Sequence, residues 1–325
     1  MRLFSGWSAR WMAVTGLLAA GLVAGSCDAG GGRYVLVTGG QTGVYYPVGQ
    51  AIARLLHDGD SGIRMDVRPS GGSQDNARQL GRGDADFALI QNDFAVHATR
   101  GEQMFDGEPI ANLRGVAALY PEQVHIVARA DAGITSVADL AGKRVSTGDA
   151  GSGTEGNARH ILAAYGLSES DLGQQERLGA AQSADYLQDG RLDAMFFTVG
   201  VGAAAIQQVT TQPGLDVVFV PVDGEQREAL LDQYPYYTAA AIPADAYGAG
   251  EPGEDVPAVS VVASLVTTAE VSEEAVAAVL SAMFDNLDAF RGSHGRLREF
   301  NRADAEADLP IELHAGAAAF YANDE

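Results

Sequence analysis

The chain has 325 residues, of which 46% are apolar and 20% charged, a composition typical of a folded protein with a large core and two domains. Its 43 Asp and Glu residues outnumber its 21 Lys and Arg residues, and the net charge is −22. This balance argues against a nucleic-acid-binding surface, because binding to phosphates needs clustered cations. The length excludes a small disulfide-stapled scaffold, and the acidity suits either an ordinary solvated surface or salty surroundings.

Residues 1–26 have the pattern of a secretory signal peptide. They carry Arg2 and Arg10, no acidic residue, and an apolar run that is short for a membrane span, so we expect export and cleavage. Cys27 follows directly and resembles a lipoprotein processing site, at which the thiol would be acylated. The alternative is an ordinary signal peptide with an incidental cysteine. We expect residues 27–32 to form a flexible tether and the mature protein to lie in the periplasm or at the outer face of the cytoplasmic membrane.

From Arg33 onward, strand patterns alternate with helix patterns and glycine-rich turns. The predicted elements are a strand at 34–38, a helix from about Pro47 to His57, a strand at 63–67, a helix from about Ser73 to Gly81 and a strand at 87–91. This order predicts a mostly parallel sheet flanked by helices, an α/β architecture.

The same plan returns after Gly142, with a strand at 143–147 and a helix from about Thr154 to Tyr165 that Gly166 closes. The spacing of Leu80, Gly83 and Asp86 is repeated by Leu187, Gly190 and Asp193. We therefore predict two similarly built lobes, although chance likeness between short α/β motifs is an alternative.

Apolar strands at 124–131 and 257–268 are expected to cross between the lobes, and a helix at 272–290 to pack back on the first lobe. This arrangement predicts lobe I from residues 33–124 plus 258–325 and lobe II from residues 125–257.

Ligands of open α/β sheets bind at the carboxyl ends of the strands, where this chain has glycine turns and polar residues. The candidate ligand-binding residues are Gly43, Tyr45, Tyr46, Gly72, Ser73, Asn76, Gln91, Asn92, Ser152, Gly153, Thr154 and Thr198. Three of the turns begin helices, whose free N–H groups attract anions, so we predict a polar, mostly neutral pocket for a small acid.

Each candidate also has a structural interpretation. The glycines suit ordinary turns, Ser73 and Thr154 suit helix caps, the tyrosines suit a core, and Gln91 suits a solvated strand end.

Several motifs of catalysis and metal binding are absent from the sequence: the GxxxxGK[ST] phosphate loop, the dinucleotide-binding spacing, HExxH, the GxSxG elbow and a calcium loop. We therefore expect a binding protein that needs no cofactor and no metal. The alternatives are a secreted two-lobed enzyme and a receptor that reports its ligand to a membrane kinase.

Four segments resemble the TAXI-type solute receptors, which are the extracytoplasmic subunits of one branch of the tripartite ATP-independent periplasmic (TRAP) transporters. The segments are GGQTGVYYPVGQAIA, PSGGSQDNARQLGRGDADFALIQND, LRGVAALYPEQVHIVARADAGITSVADLAGKRVSTGDAGSGTEGNA and DGRLDAMFFTVG. The first three segments in this order are highly specific together, whereas each glycine turn alone is a weak signal. The resemblance covers about residues 33–300.

The resemblance implies a type II periplasmic-binding-protein-like fold with a ligand cleft between two lobes. It implies that the lobes close on a small ligand such as glutamate, glutamine or 2-oxoglutarate and pass it to an ion-gradient-driven permease. By position, Tyr45, Tyr46 and Ser73 would belong to the cleft. Residues 152–154 would hold a carboxylate, and Gln91 with Asn76 would orient the rest of the ligand.

Overall fold

The computed structural model describes residues 32–59, 61–247 and 253–323. The predicted signal peptide, Cys27 and all of the predicted tether except Gly32 lie outside these residues. Within the described ranges, no helix is long and apolar enough to cross a membrane.

The described residues contain ten strands, interspersed with helices in the order predicted for an α/β fold. The strands are β1 (Arg33–Val37), β2 (Arg64–Arg68), β3 (Phe87–Gln91), β4 (Leu113–Arg129), β5 (Arg144–Ser146), β6 (Gln174–Glu176), β7 (Ala194–Val199), β8 (Val217–Phe219), β9 (Thr238–Ile242) and β10 (Val256–Thr268). The strands predicted at 34–38, 63–67 and 87–91 are β1, β2 and β3, each within one residue of its predicted ends.

Eleven α-helices occur in the same part of the chain. They are α1 (Tyr45–Asp58), α2 (Ser73–Arg82), α3 (Asn92–Arg100), α4 (Gly153–Ala164), α5 (Ala180–Gln188), α6 (Ala204–Thr210), α7 (Gly224–Gln233), α8 (Glu273–Phe284), α9 (Leu287–Ser293), α10 (Arg302–Ala307) and α11 (Ala315–Ala322). The predicted starts of α1, α2 and α4 lie within two residues of the observed ones, because each follows a glycine-rich turn.

The predicted helix over 272–290 is wrong in its length, since the structure divides it into α8 and α9. Ser272 caps α8 as expected, and its hydroxyl accepts a hydrogen bond from the N–H of Ala275 at 3.2 Å. The break falls at Asn286, whose side chain donates to the carbonyl of Ala282 at 3.0 Å and whose φ of −116° and ψ of 37° are not helical. An asparagine side chain that competes for backbone hydrogen bonds in this way interrupts a helix.

All ten strands belong to one sheet. Its main path runs β2-β1-β3-β10-β4-β7-β5-β6, with β8 paired to β4 and β9 to β10. Strand pairs at the two ends of the path are parallel, and β10 is antiparallel to both β3 and β4. Helices flank each end, so the α/β fold class is confirmed. The names lobe I and lobe II are used below for the predicted ranges 33–124 plus 258–325 and 125–257. The exact boundary between the lobes remains a proposal.

Two long strands, β4 and β10, connect the ends of the sheet, as predicted for the segments at 124–131 and 257–268. Strand β4 starts earlier than predicted, at Leu113, and its lobe I part pairs with β10 while its lobe II part pairs with β7. The β4–β10 register shifts twice, because β4 has one extra residue at Val116 and another at Leu119. Such bulges bend a strand and increase its twist.

A matching pair of aspartates supports the predicted repeat. Asp86 precedes β3 and its carboxylate accepts a hydrogen bond from the N–H of Val35 in β1 at 2.7 Å. Asp193 precedes β7 and accepts from the N–H of Arg144 in β5 at 2.8 Å. Each aspartate therefore joins the start of one strand to the neighbouring parallel strand, which confirms two similarly built lobes.

Both faces of the sheet are buried. Phe87 and Leu89 of β3 pack into one apolar cluster, whereas Ala88 and Ile90 pack into another on the opposite face. All four side chains are fully buried. A strand that is covered on both faces reads as a continuous apolar run, which explains the segment FALI.

Candidate functional site

The facing turns of the two lobes enclose a cavity of about 120 Å³. One water molecule needs about 10–15 Å³ by the same measure, so the cavity has room for a small molecule. Its lining comes from the loop after β1, the ends of β3 and β7, the starts of α1, α2 and α4, and the middle of β4. This is the edge of the sheet at which the sequence predicts a ligand.

Glycines allow the lobe I backbone to reach the cavity. The N–H of Gly43 donates to the carbonyl of Gly40 at 3.1 Å and closes the turn after β1. Gly72 precedes α2 with a φ of 107°, and a Cβ at this position would lie 3.4 Å from the Cα of Ser152. Because L-residues with side chains rarely adopt this φ, glycine lets the start of α2 approach the start of α4.

In each lobe, a hydroxyl in the first turn of a helix holds the end of a neighbouring strand. The hydroxyl of Ser73 in α2 accepts from the N–H of Gln91 in β3 at 3.2 Å. That of Thr154 in α4 accepts from the N–H of Thr198 in β7 at 3.1 Å. The capping interpretation is therefore wrong for Ser73 and Thr154, neither of which is the N-cap of its helix.

Ser152 is the residue that caps α4, and its hydroxyl accepts from the N–H of Glu155 at 3.1 Å.

The two lobes touch each other around the cavity. The N–H of Gln74 in α2 donates to the carbonyl of Gly151 before α4 at 3.1 Å. The side chain of Gln91 lies against Gly153, where an added Cβ would be 2.2 Å from Gln91 Oε1. The predicted facing arrangement of the two helix starts is therefore present.

Two buried polar atoms on the cavity lining have no hydrogen-bond partner. They are Oε1 of Gln91 and Oγ1 of Thr198. Buried polar atoms are normally paired, so each is a candidate contact for a bound molecule. Gln91 is only 3% exposed, which overturns the interpretation of a solvated strand end.

Most of the predicted site residues share this cavity. Those that line it are Gly43, Tyr45, Gly72, Ser73, Gln91, Ser152, Gly153, Thr154 and Thr198.

Three predicted residues do not line the cavity. Tyr46 follows Tyr45 in α1 but is not part of the lining. Asn76 is fully buried and its amide donates to the carbonyls of Thr38 and Leu89, so it holds β1 and β3 beneath the cavity. Asn92 turns away, and its side-chain oxygen accepts from the N–H of Val262 in β10 at 3.1 Å.

The sequence reasoning missed Glu122, a cavity-lining carboxyl in β4 that is 2% exposed. The hydroxyl of Tyr45 donates to its Oε2 at 2.7 Å. Burial, with a smaller contribution from the nearby Asp93, raises the pKa of Glu122 to about 8 although the hydrogen bond from Tyr45 lowers it, so the carboxyl is mostly protonated at pH 7. An acidic residue in the middle of a mostly apolar strand was the signal available in the sequence.

The electrostatics of the lining are unusual for an anion site. Among the described residues that line the cavity, none is Arg, Lys or His, while Glu122 and the exposed Asp149 both lie there. Positive potential comes instead from the N-terminal ends of α2 and α4. Phe196 and Phe197 add apolar surface.

The described residues contain no group of three or more His, Cys, Asp or Glu side chains that could hold a metal ion. The expectation that the protein needs no metal or cofactor stays a prediction.

Solved structures with similar folds cover most of this chain. A protein from Bordetella bronchiseptica is 15% identical, with a TM-score of 0.51 over 89% of this chain and 88% of that chain. The alkanesulfonate-binding protein SsuA from Xanthomonas axonopodis pv. citri, bound to MOPS, is 17% identical, with a TM-score of 0.48 over 89% and 83%. The substrate binding protein of an amino acid ABC transporter is 12% identical, with a TM-score of 0.49 over 82% and 99%. At these identities the likeness concerns the fold alone.

The two lobes, each with helices around one end of the sheet, form a periplasmic-binding-protein-like fold. The model of the NMT1-like family matches residues 36–324, which is most of the sequence. The chain therefore belongs to the NMT1-like family.

Proposed function

We propose that the protein is an extracytoplasmic solute receptor that binds a small organic acid or amino acid between its lobes. The observation that carries this proposal is a cavity lined from both lobes, with the starts of α2 and α4 beside it and two unpaired buried polar atoms on its walls. A ligand that hydrogen-bonds to Gln91 Oε1 and Thr198 Oγ1 would give partners to two buried polar atoms that have none within the protein.

The start of α4 is the proposed carboxylate subsite. Residues 152–154 line the cavity at the first turn of this twelve-residue helix, where free N–H groups and the helix dipole favour negative charge. Gln91 lies against the same turn from lobe I and can orient the rest of the ligand. Asn76, in contrast, is a support for the cavity floor in this proposal.

Closure of the lobes couples binding to conformation. The contact between Gln74 and Gly151, and the approach of Gln91 to Gly153, join residues of different lobes. A ligand that touches both lobes is bound fully only when these contacts exist, so it shifts the population toward the closed form.

The proposed activity is binding without bond cleavage. Among the described lining residues there is no His, Cys or Lys to act as a base or nucleophile beside the serine and threonine hydroxyls. This supports a receptor over a secreted enzyme.

The proposed partner is a TRAP-type permease, on the strength of the sequence motifs of TAXI receptors. Uptake of labelled ligand by cells that express the protein tests this partner. Dissipating the ion gradient should stop uptake by a TRAP-type permease. Uptake that continues until ATP is depleted would instead indicate an ATP-driven transporter. Acylation of Cys27 would anchor the receptor to the membrane, and a Cys27→Ser variant should then be released into the soluble periplasmic fraction.

A thermal-shift screen of the mature protein against amino acids, oxo acids and dicarboxylates tests the receptor proposal. A true ligand raises the unfolding temperature, since binding to the native state adds stability by mass action. Gln91→Ala should reduce that shift, whereas Gln226→Ala, a matched change at an exposed position in α7, should preserve it. Absence of any stabilising compound would contradict the proposal.

A further inference from the structure

Glu122 is the one buried carboxyl in the described cavity lining, and the proposed function leaves it unused. It lies in the middle of β4, opposite Val261 of β10, where the strands pass between the lobes. It is 2% exposed and contacts the cavity, and the hydroxyl of Tyr45 fixes its Oε2 at 2.7 Å. Burying a carboxyl without a cationic partner costs stability, so a role in binding would explain its presence here.

The charges around the cavity are segregated. The helix starts offer the N–H groups of Ser73, Gly153 and Thr154 to an anion, since those of Gly72 and Ser152 already donate to Ser70 and Asp149. Glu122 and Asp149, in contrast, offer carboxyl oxygens. No described lining residue is a cation that would neutralise Glu122. A ligand that carries only negative charge would satisfy one part of this lining and face a carboxyl on the other.

We propose that Glu122, held by Tyr45, receives the ammonium group of the ligand, so that the site selects α-amino acids over oxo acids and dicarboxylates. This inference rests on the proposed function of the cleft and narrows its ligand class. The α-carboxylate would occupy the start of α4, and the ammonium would lie toward β4. Both ends of a zwitterion then have partners of opposite charge in one water-poor cavity.

Binding of an ammonium changes the protonation of Glu122. In the described structure burial holds the pKa of this carboxyl at about 8, so it carries a proton at pH 7. The other titratable groups that face it are the hydroxyls of Tyr45 and Tyr120, whose pKa values burial raises well above 10, and the carboxyl of Asp93. A nearby ammonium favours the carboxylate, so the proton passes from Glu122 to the buffer while the ligand keeps its own protons.

A neutral Glu122 could instead donate its proton to a ligand carboxylate or oxo group. The two roles differ in their response to Glu122→Gln, because glutamine keeps a donor and an acceptor at this position but cannot carry negative charge. Loss of affinity in this variant therefore reports an ionic partner and not a neutral donor.

The experiment is calorimetric titration of wild type, Glu122→Gln and the exposed control Glu228→Gln with the twenty L-amino acids, and with 2-oxoglutarate and glutarate as amine-free analogues. Wild type and the control should bind an amino acid more tightly than its amine-free analogue. Glu122→Gln should bind that amino acid about 10- to 100-fold more weakly, as expected for a lost hydrogen bond between charged groups, and bind the analogue as before. Titrations at pH 7 in phosphate and in Tris should show release of about one proton in wild type and none in the variant.

The outcomes separate the two proposals. If oxo acids bind wild type as tightly as amino acids, or if Glu122→Gln keeps its amino-acid affinity, the ammonium subsite is wrong and the receptor proposal stands. If no compound binds wild type, both fall. The wild-type measurement of proton release does not depend on the variant, so an apparent enthalpy for wild type that is the same in both buffers overturns the subsite even if Glu122→Gln does not fold.

Discussion

Gly156 offers a way to disturb lobe closure without touching the cavity. It lies in α4, and an added Cβ would be 2.7 Å from Phe94 Cζ in α3 and 3.5 Å from Met104 Sδ. Phe94 is 2% exposed and packs edge-to-face against His97 and Phe105, so its ring has little space to move. Gly156→Ala should therefore push α3 and α4 apart.

The expected size follows from two opposing effects. Overpacking of a buried contact costs about 1–3 kcal/mol. Alanine in place of glycine also favours an exposed helix by about 1 kcal/mol, but this gain is the same in the open and closed forms and cancels from their equilibrium. If the lobes close when ligand binds, the steric cost at this contact destabilises only the closed form. The binding free energy then weakens by that cost, and the affinity should fall about 5- to 150-fold.

Calorimetric titration with whichever amino acid the proposed titrations identify measures the affinity, and differential scanning calorimetry measures the stability of the unliganded chain. Gly292→Ala in α9 is the matched control, because a Cβ there has no atom within 4 Å. We expect unchanged affinity in the control, and unliganded unfolding temperatures that do not fall in either variant. Small-angle scattering should show that the ligand decreases the radius of gyration of Gly156→Ala only at ligand concentrations higher than those that compact the wild type.

A fall in the unfolding temperature of unliganded Gly156→Ala, with affinity unchanged, would refute this reasoning. It would mean that α3 and α4 remain packed in the absence of ligand and that the lobes do not separate at this contact.

Three further predictions concern the site and the repeat. Thr154→Ala should weaken ligand binding about tenfold and also lower the unliganded stability by about 1–3 kcal/mol, because it leaves the buried N–H of Thr198 without an acceptor, and Thr154→Ser should retain both; a loss of stability with intact affinity would contradict a role in binding. Between pH 6.5 and 8 the free energy of unfolding should fall as pH rises, because burial raises the pKa of folded Glu122 to about 8 and that of folded Asp93 to about 7, so both retain protons that the unfolded chain has lost near pH 4.5 and 3.8. Glu122→Gln should reduce this slope, chiefly between pH 7 and 8, and an equal slope in both proteins would assign it to Asp93 or other groups; the window starts at pH 6.5 because buried histidines titrate below it. Asp193→Ala should destabilise the protein by about 1–3 kcal/mol in denaturant unfolding, since it unpairs Arg144, whereas Asp189→Ala at an exposed position should have little effect.

Local patterns in the sequence were enough to predict most of the elements that position the site. Strand β3 is apolar from Phe87 to Ile90 because both of its faces are buried, and the glycines before α2 and α4 mark turns that side chains would disturb. The starts of α1, α2 and α4 and the ends of β1, β2 and β3 are determined by neighbours in the chain, so their positions were predicted closely, whereas the early start of β4 was not.

The failures arise where neighbours in space decide the outcome. Asn76 and Asn92 suit a cleft by type and position, yet the first is occupied by two backbone carbonyls and the second by a backbone N–H of β10. Glu122 escaped prediction because it reaches the cavity only through the pairing of β4 with strands distant in sequence. The break before α9 depends on one hydrogen bond from Asn286 that helical periodicity does not reveal.

The two extra residues of β4, Val116 and Leu119, have a mechanical consequence. Strands β4 and β10 form one hydrogen-bonded ribbon that joins the lobes, and this ribbon restricts how lobe I can rotate relative to lobe II. Opening must flex this ribbon, and the irregular register supplies compliant points at which it can flex while the remaining ladder stays intact. The walls of the cleft would thus return to the same alignment after each cycle of capture and release.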